Sequence, residues 1–79
     1  MTLAFVFAEC EEGQTSAAKR SADKIQGVKE AHSVSGGGFD LVLKVHAKDE
    51  QSLNGVLGAI KRISGIAAVV TSIVCKSLR

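Results

Sequence analysis

The sequence predicts an α+β domain in which one antiparallel sheet of four strands carries two helices on a single face. Segments typical of strands and of amphipathic helices follow in the order strand, helix, strand, strand, helix, strand. Glycines stand where both helical segments should end. The first half of the chain recurs in the second half at an offset of 38 residues, as from Gly27 to Gly65. At 79 residues the chain is predicted to be a single domain, residues 1–79.

The first half is predicted to contain a strand, a helix and a second strand. Residues 2–9, TLAFVFAE, are apolar at nearly every position, which is typical of a strand covered on both faces. In residues 13–25 the apolar side chains recur at helical spacing, and Gly27 occupies a position where glycine commonly follows a helix. Residues 28–35 are predicted to form a second strand, which is more polar.

The second half repeats this order. Residues 39–47 alternate between two faces, one predicted to hold Phe39, Leu41, Leu43 and Val45, the other Asp40, Val42, Lys44 and His46. Asp49 is a predicted helix N-cap, and the following helix has an apolar stripe formed by Leu53, Val56, Leu57 and Ile60. Gly65 ends that helix, and residues 66–75 form the last strand. The order βαββαβ is that of the ferredoxin-like split fold, with both helices on one face of the sheet.

The sheet face that the helices leave open is predicted to be an interface. This face is expected to hold Ala4, Val6 and Ala8 of the first strand and Val42 of the third. Hydrophobic residues make up 46% of the chain, which is more than one small core needs. An exposed apolar sheet face marks an interaction surface. We therefore expect two copies to pack sheet to sheet as a dimer, a dimeric α+β barrel.

Charge and hydropathy argue against direct nucleic-acid binding and against a membrane location. The formal net charge is +2, and the basic residues are spread along the chain instead of forming a patch. No apolar run approaches the roughly 20 residues that span a bilayer, and the apolar start lacks the features of a signal peptide. We expect a cytoplasmic protein.

The two cysteines are not predicted to form a disulfide within the chain. Cys10 and Cys75 end the first and last strands, which are antiparallel neighbours in this fold. The two thiols should therefore lie at opposite ends of the sheet, on the order of 25 Å apart. The acidic residues around Cys10, which are Glu9, Glu11 and Glu12, are expected to raise its pKa and to oppose thiolate chemistry.

The glycine run in the sequence SGGGFD, residues 35–40, is the most distinctive local feature. A phosphate-binding GxGxxG would need glycine at Leu41 and a helix afterwards, whereas a strand follows. Two interpretations stay open, a hairpin turn and a ligand-binding loop. Asp40 either caps turn amides or holds an ammonium or guanidinium group of a ligand. The sequence contains no triad, carboxylate pair or metal set, so neither catalysis nor a cofactor is predicted.

The segments IQGVKEAHSVSGGGFDLVLKV and AKDEQSLNGVLGAIKRISGIAAVVTSIV resemble the effector domain of the Lrp/AsnC family, also called the RAM domain. The family pattern runs Ile-Pro-Gly-Val, Val-Thr-Gly-x-x-Asp, an alternating strand, a second Pro-Gly-Val and Thr-x-Thr. The resemblance covers residues 3–76. It implies a ferredoxin-like domain that forms dimers and, in many members, tetramers or octamers. It also implies a small effector, usually an amino acid, bound in clefts between dimers.

Carried over to this chain, the resemblance gives a set of candidate ligand-binding residues. These are Ser35, Gly36, Gly37, Gly38, Asp40, Val69 and Thr71. The chain departs from the family pattern at three places. One extra residue precedes Asp40, Val69 replaces the first threonine of Thr-x-Thr, and Gln26 and Ser64 replace the two prolines.

The resemblance also suggests partners and alternatives. No helix-turn-helix segment precedes the effector domain in this sequence, so we expect a stand-alone member that binds no DNA itself and co-assembles with a full-length regulator. A purely structural assembly module is a second hypothesis. A small dimeric α+β barrel enzyme is a third. Such enzymes need a cavity between sheet and helices lined by residues such as Trp and Tyr, and this sequence contains neither. An ACT-type amino-acid domain, with Gly13 as its ligand glycine, is a fourth.

Overall fold

The structure is a computed structural model that describes residues 2–74. Its elements are β1 (Thr2–Cys10), α1 (Thr15–Asp23), β2 (Val28–Ser33), β3 (Leu41–Ala47), α2 (Glu50–Lys61) and β4 (Ile66–Ile73). The predicted order βαββαβ is confirmed. The prediction about a disulfide depends on Cys75, which lies outside the described residues.

The four strands form one antiparallel sheet in the order β2-β3-β1-β4. β1 and β3 occupy the centre, and their pairing runs from Thr2 opposite Ala47 to Ala8 opposite Leu41. β4 pairs with the other side of β1, so the first and last strands are neighbours as predicted. This is the strand arrangement of the ferredoxin-like fold, and both helices pack on the same face of the sheet.

The prediction for the faces of β1 is wrong. Ala4, Val6 and Ala8 lie directly opposite Val45, Leu43 and Leu41, and all six side chains are fully buried. Ala4, Val6, Leu43 and Val45 form one core cluster with helical residues such as Ala22 and Ile60, and the remaining two, Ala8 and Leu41, pack with Ala18 of α1. β1 contributes mainly small alanines to the core, while β3 contributes the larger leucines. The sequence could not distinguish the two faces, because β1 is apolar on both.

The face away from the helices is therefore built from the alternate residues. Its apolar members are Leu3, Phe5 and Phe7 of β1, Val42 of β3 and Val70 of β4, which we call the outer sheet face. The prediction for Val42 is correct. Phe39 lies before the start of β3 and packs against Phe7, with ring centroids 5.6 Å apart. Its predicted place beside Leu41 is wrong, because the strand alternation does not extend back to it.

The helix ends follow the predicted local signals. The Asp49 carboxylate accepts a hydrogen bond from the Ser52 backbone N–H at 2.8 Å and caps α2. After both helices the chain turns at a glycine with positive φ, +105° at Gly27 and +98° at Gly65. The internal repeat is thus a structural repeat at these positions.

No helix within residues 2–74 combines the length and the apolar character that crossing a bilayer requires.

Candidate functional site

The glycine run forms an exposed turn between β2 and β3, which we call the glycine turn, residues 34–40. Gly36, Gly37 and Gly38 have φ values of +90°, +71° and +83°, in the region that side chains disfavour. A Cβ atom added at any of the three would meet no atom of the described residues within 4 Å. The backbone conformation therefore requires glycine here, whereas packing does not. The turn projects its backbone into open space.

Asp40 fastens the glycine turn to β1. Its backbone N–H donates to the Ala8 carbonyl at 2.9 Å, and its own carbonyl accepts from the Val34 N–H at 2.9 Å. Its side-chain Oδ2 accepts a hydrogen bond from the Cys10 N–H at 2.8 Å. The carboxylate thus binds an amide of the neighbouring strand, not the amides of its own turn. The side chain is half-buried and lies at the edge of the exposed turn.

Cys10 shares the environment of this carboxylate. Burial raises the pKa of the Cys10 thiol, the negative charge of Asp40 raises it further, and a hydrogen bond with Thr15 opposes both. The predicted direction is confirmed, but burial and Asp40 cause it instead of the acidic residues next to Cys10 in the sequence. The raised pKa keeps the thiol protonated near neutral pH, which disfavours nucleophilic chemistry.

The remaining candidate residues lie across the sheet from the glycine turn. Leu41, the residue after Asp40, is opposite Ala8, which in turn is opposite Val69 of β4. Two strand spacings separate β3 from β4, or about 10 Å. Val69 packs against the core, and Thr71 is half-buried. The candidate residues therefore share one end of the sheet but are divided by β1.

Residues 2–74 also line concavities away from the glycine turn. A hollow of about 210 Å³ adjoins Val69. A larger one of about 670 Å³, which we call the α2 groove, lies between the α1–β2 turn, the end of β3 and α2. Its lining includes Gly27, Lys29, Ala47, Lys48, Ser52, Gly55, Val56 and Ala59. Sequence reasoning missed this groove, although Gly55 inside a predicted helix is a signal that a side chain is absent there.

Across residues 2–74, no cluster of three or more His, Cys, Asp or Glu side chains is placed to hold a metal ion.

The βαββαβ order and the single four-stranded antiparallel sheet define the chain as a ferredoxin-like domain. The sequence model of the Lrp/AsnC ligand binding domain matches residues 3–79, and the chain belongs to this family. A protein of known crystal structure from Thermus thermophilus is 26% identical, with a TM-score of 0.90. The match covers 100% of this chain and 99% of the Thermus chain.

Two further relatives are larger proteins. A homocitrate synthase from Sulfurisphaera tokodaii is 36% identical over 76 residues, which are 95% of this chain and 16% of that enzyme. The chain thus spans about 16% of that relative's length. A feast or famine regulatory protein from M. tuberculosis, solved in complex with L-methionine, is 21% identical with a TM-score of 0.80. The match covers 100% of this chain and 53% of the regulator and shows a shared fold.

Proposed function

We propose that this domain binds a small amphoteric effector, an amino acid, at the glycine turn. The observation that carries the proposal is the exposed run of three positive-φ glycines beside the Asp40 carboxylate. Membership of a ligand-binding domain family supports it, as does the complex of L-methionine with a regulator of the same fold. The Asp40 carboxylate and the open backbone of the three glycines support a binding role, since both can pair with the charged groups of a small ligand.

The chemistry of the turn suits both charged groups of an amino acid. One oxygen of Asp40 accepts the Cys10 N–H, and a carboxylate has further lone pairs that can accept from an ammonium group. Backbone N–H groups in a glycine turn can bind a carboxylate, since no side chain blocks their approach. Ser35, Val69 and Thr71 would then complete the pocket when a second dimer covers this end of the sheet.

We further propose that the domain acts as a dimer through its outer sheet face, and that dimers assemble further. Val70 is 51% exposed, and the side chains of Leu3, Phe5 and Phe7 are only partly covered in the single chain. Phe39, at the base of the glycine turn, packs on Phe7 of this face. The base of the glycine turn thereby contacts the surface through which we expect the dimer to form.

The homocitrate synthase similarity favours a second candidate function, in which the domain regulates an enzyme instead of a transcription factor. Both candidates use the same effector site and differ in the protein that responds. Native mass spectrometry of the domain mixed with a full-length Lrp/AsnC regulator, and separately with a homocitrate synthase chain, distinguishes them. A complex with the regulator supports the first candidate, and a complex with the enzyme supports the second.

The effector site is tested by thermal shift and calorimetry with the twenty amino acids. At least one should raise the melting temperature, because a ligand that binds only the native state stabilises it. Asp40→Asn keeps an oxygen for the Cys10 N–H but removes the charge, and should weaken binding roughly ten- to hundredfold.

Asp23→Asn is the matched control, since Asp23 is an exposed carboxylate on α1 that pairs with Lys19 at 3.7 Å. This variant should bind as the wild type does. If none of the twenty amino acids shifts the melting temperature or gives heat, the proposed amino-acid effector function is wrong, and such a result favours the structural assembly module.

A further inference from the structure

We propose that the α2 groove is a second binding site, which takes an organic carboxylate with an apolar body. The groove lies at the opposite end of β3 from the glycine turn, since β3 begins at Leu41 and ends at Ala47. Its volume of about 670 Å³ falls within the roughly 300–1,000 Å³ of small-molecule sites. The site is separate from the effector site proposed above and does not depend on it.

Part of the groove wall is apolar and is formed by three different elements, while Gln26, His46 and Ser52 are among its polar lining residues. Ile25 comes from the α1–β2 turn, Ala47 from the end of β3, and Val56 and Ala59 from one side of α2. Gly27 brings the turn close to α2, where a Cβ added to Gly27 would lie 2.9 Å from Val56 Cγ2. These residues provide a surface for the hydrocarbon part of a ligand.

The groove is kept open by a small residue in the middle of α2. Gly55 lines it, and a Cβ atom added there would meet no atom of residues 2–74 within 4 Å. The space next to Gly55 is therefore available to a ligand. Gly58 lies in the same helix, where an added Cβ would meet Arg62 Nη1 at 3.8 Å, but it does not line the groove. The two glycines form a matched pair for experiment.

The positive charges of two lysines at the groove favour an anionic ligand. Lys29 and Lys48 line it, both exposed, and within residues 2–74 the lysines that form ion pairs are Lys19 and Lys44. Lys29 sits at a register shift between β2 and β3, which frees its side chain from the regular strand alternation. Within residues 2–74, Lys48 forms no ion pair with the neighbouring carboxylate of Asp49, which caps α2 by accepting the Ser52 N–H. We expect a carboxylate ligand to pair with Lys29 or Lys48 while its chain lies on the apolar residues of the groove.

The test uses three probes with the same six-carbon chain and different head groups: hexanoate, hexanol and hexylamine. Backbone amide spectra of the full chain should show that hexanoate shifts Lys29, Lys48, Ser52 and Gly55, which line the groove. Hexanol should bind more weakly and hexylamine not at all. Lys29→Gln and Lys48→Gln should each weaken hexanoate about two- to fivefold, the range for exposed ion pairs.

Gly55→Leu should abolish hexanoate binding by filling the groove, and Gly58→Leu should leave it intact. If Gly55→Leu does not fold, the hexanoate affinity of Lys48→Gln decides the test. Weaker binding by this variant supports the proposal, and unchanged binding overturns it. The proposal is overturned if hexanoate leaves the groove amides unshifted, if hexylamine binds equally well, or if folded Gly55→Leu binds like the wild type. Asp40→Asn should not affect hexanoate, so this site and the effector site succeed or fail separately.

Discussion

At the scale of single residues, Asp40 joins a structural role to the proposed ligand role. Its side chain and backbone both hold the end of β1, through the Cys10 N–H and the Ala8 carbonyl. The sequence left open whether this carboxylate caps amides or binds a ligand. The structure adds a bond that neither interpretation specified, because it joins residues thirty positions apart. A ligand would meet a carboxylate whose position is already fixed, which reduces the entropy lost on binding.

Asp49 is a second carboxylate whose role can be measured, through the pH dependence of stability. The hydrogen bond from the Ser52 N–H holds the pKa of Asp49 below its ordinary value of 3.8. Its contribution to stability is therefore fully present above pH 3.8 and is lost as the pH falls through the lower folded-state pKa. Asp49→Asn keeps an N-cap oxygen but does not titrate.

The melting temperature of the wild type should therefore fall more steeply on acidification below pH 3.8 than that of Asp49→Asn. Asp49→Ala should already melt lower at neutral pH, because it lacks the cap altogether. Circular dichroism between pH 7 and 2 measures all three proteins. Identical acid profiles for the wild type and Asp49→Asn would show that the charge of Asp49 does not contribute.

At the scale of elements, the two halves of the chain repeat the same helix ending with different surroundings. A Cβ added to Gly27 would approach Val56 Cγ2 to 2.9 Å, and one added to Gly65 would approach Gln14 Cβ to 2.8 Å. Gly27 thus allows β2 to start close against α2, and Gly65 allows β4 to start close against Gln14, the N-cap residue of α1. The glycines of the glycine turn have the same sign of φ and no such neighbours among the described residues.

Because of this difference, we expect a glycine-to-alanine substitution to lower the free energy of unfolding by different amounts at the two kinds of site. Gly36→Ala should lose about 1 kcal/mol of unfolding free energy, since only backbone strain opposes it. Gly27→Ala should lose about 1–3 kcal/mol more, because its Cβ also overlaps Val56. Urea denaturation measures both, and Val56→Ala in the Gly27→Ala background should recover part of the difference. Equal losses at the two glycines would mean that α2 shifts freely away from the turn.

At the scale of the whole molecule, the arrangement of apolar residues on the two sides of β4 provides a test of the proposed dimer. Val70 is 51% exposed and lies opposite Phe7, on the outer sheet face. Ile73 is 48% exposed but lies opposite Ala4, on the side of the helices. The two residues share a strand and nearly the same exposure, and differ in the face they occupy.

Val70→Asp should shift the protein from dimer to monomer, because it buries a charge in the sheet-to-sheet interface. Ile73→Asp should leave the dimer intact. Light scattering coupled to gel filtration gives the mass, and circular dichroism checks that both variants fold. A dimer that survives Val70→Asp but dissociates with Ile73→Asp would place the interface on the opposite side of β4.

Local patterns account for most of what the sequence predicted correctly. The alternation of Leu41, Leu43 and Val45, the capping carboxylate of Asp49 and the glycines after both helices each act over a few neighbouring residues. Their physical causes, side-chain periodicity, an unsatisfied helix N–H and the freedom of glycine at positive φ, are all local. The resemblance to the Lrp/AsnC effector domain rests instead on family motifs that occur in order along the chain, and the family model that matches residues 3–79 confirms it.

The sequence by itself thus determined the order of the elements, the N-cap of α2, the glycines that follow both helices and the resemblance to the family. Only the tertiary structure decided which face of β1 is buried, because residues 2–9, TLAFVFAE, are apolar on both faces. The pairing of β1 with β3 places Ala4 opposite the buried Val45 and so fixes the buried face. The tertiary structure also decided that Asp40 binds the Cys10 N–H and that α2 borders a groove. These features depend on contacts between residues far apart in the chain, which no local pattern specifies.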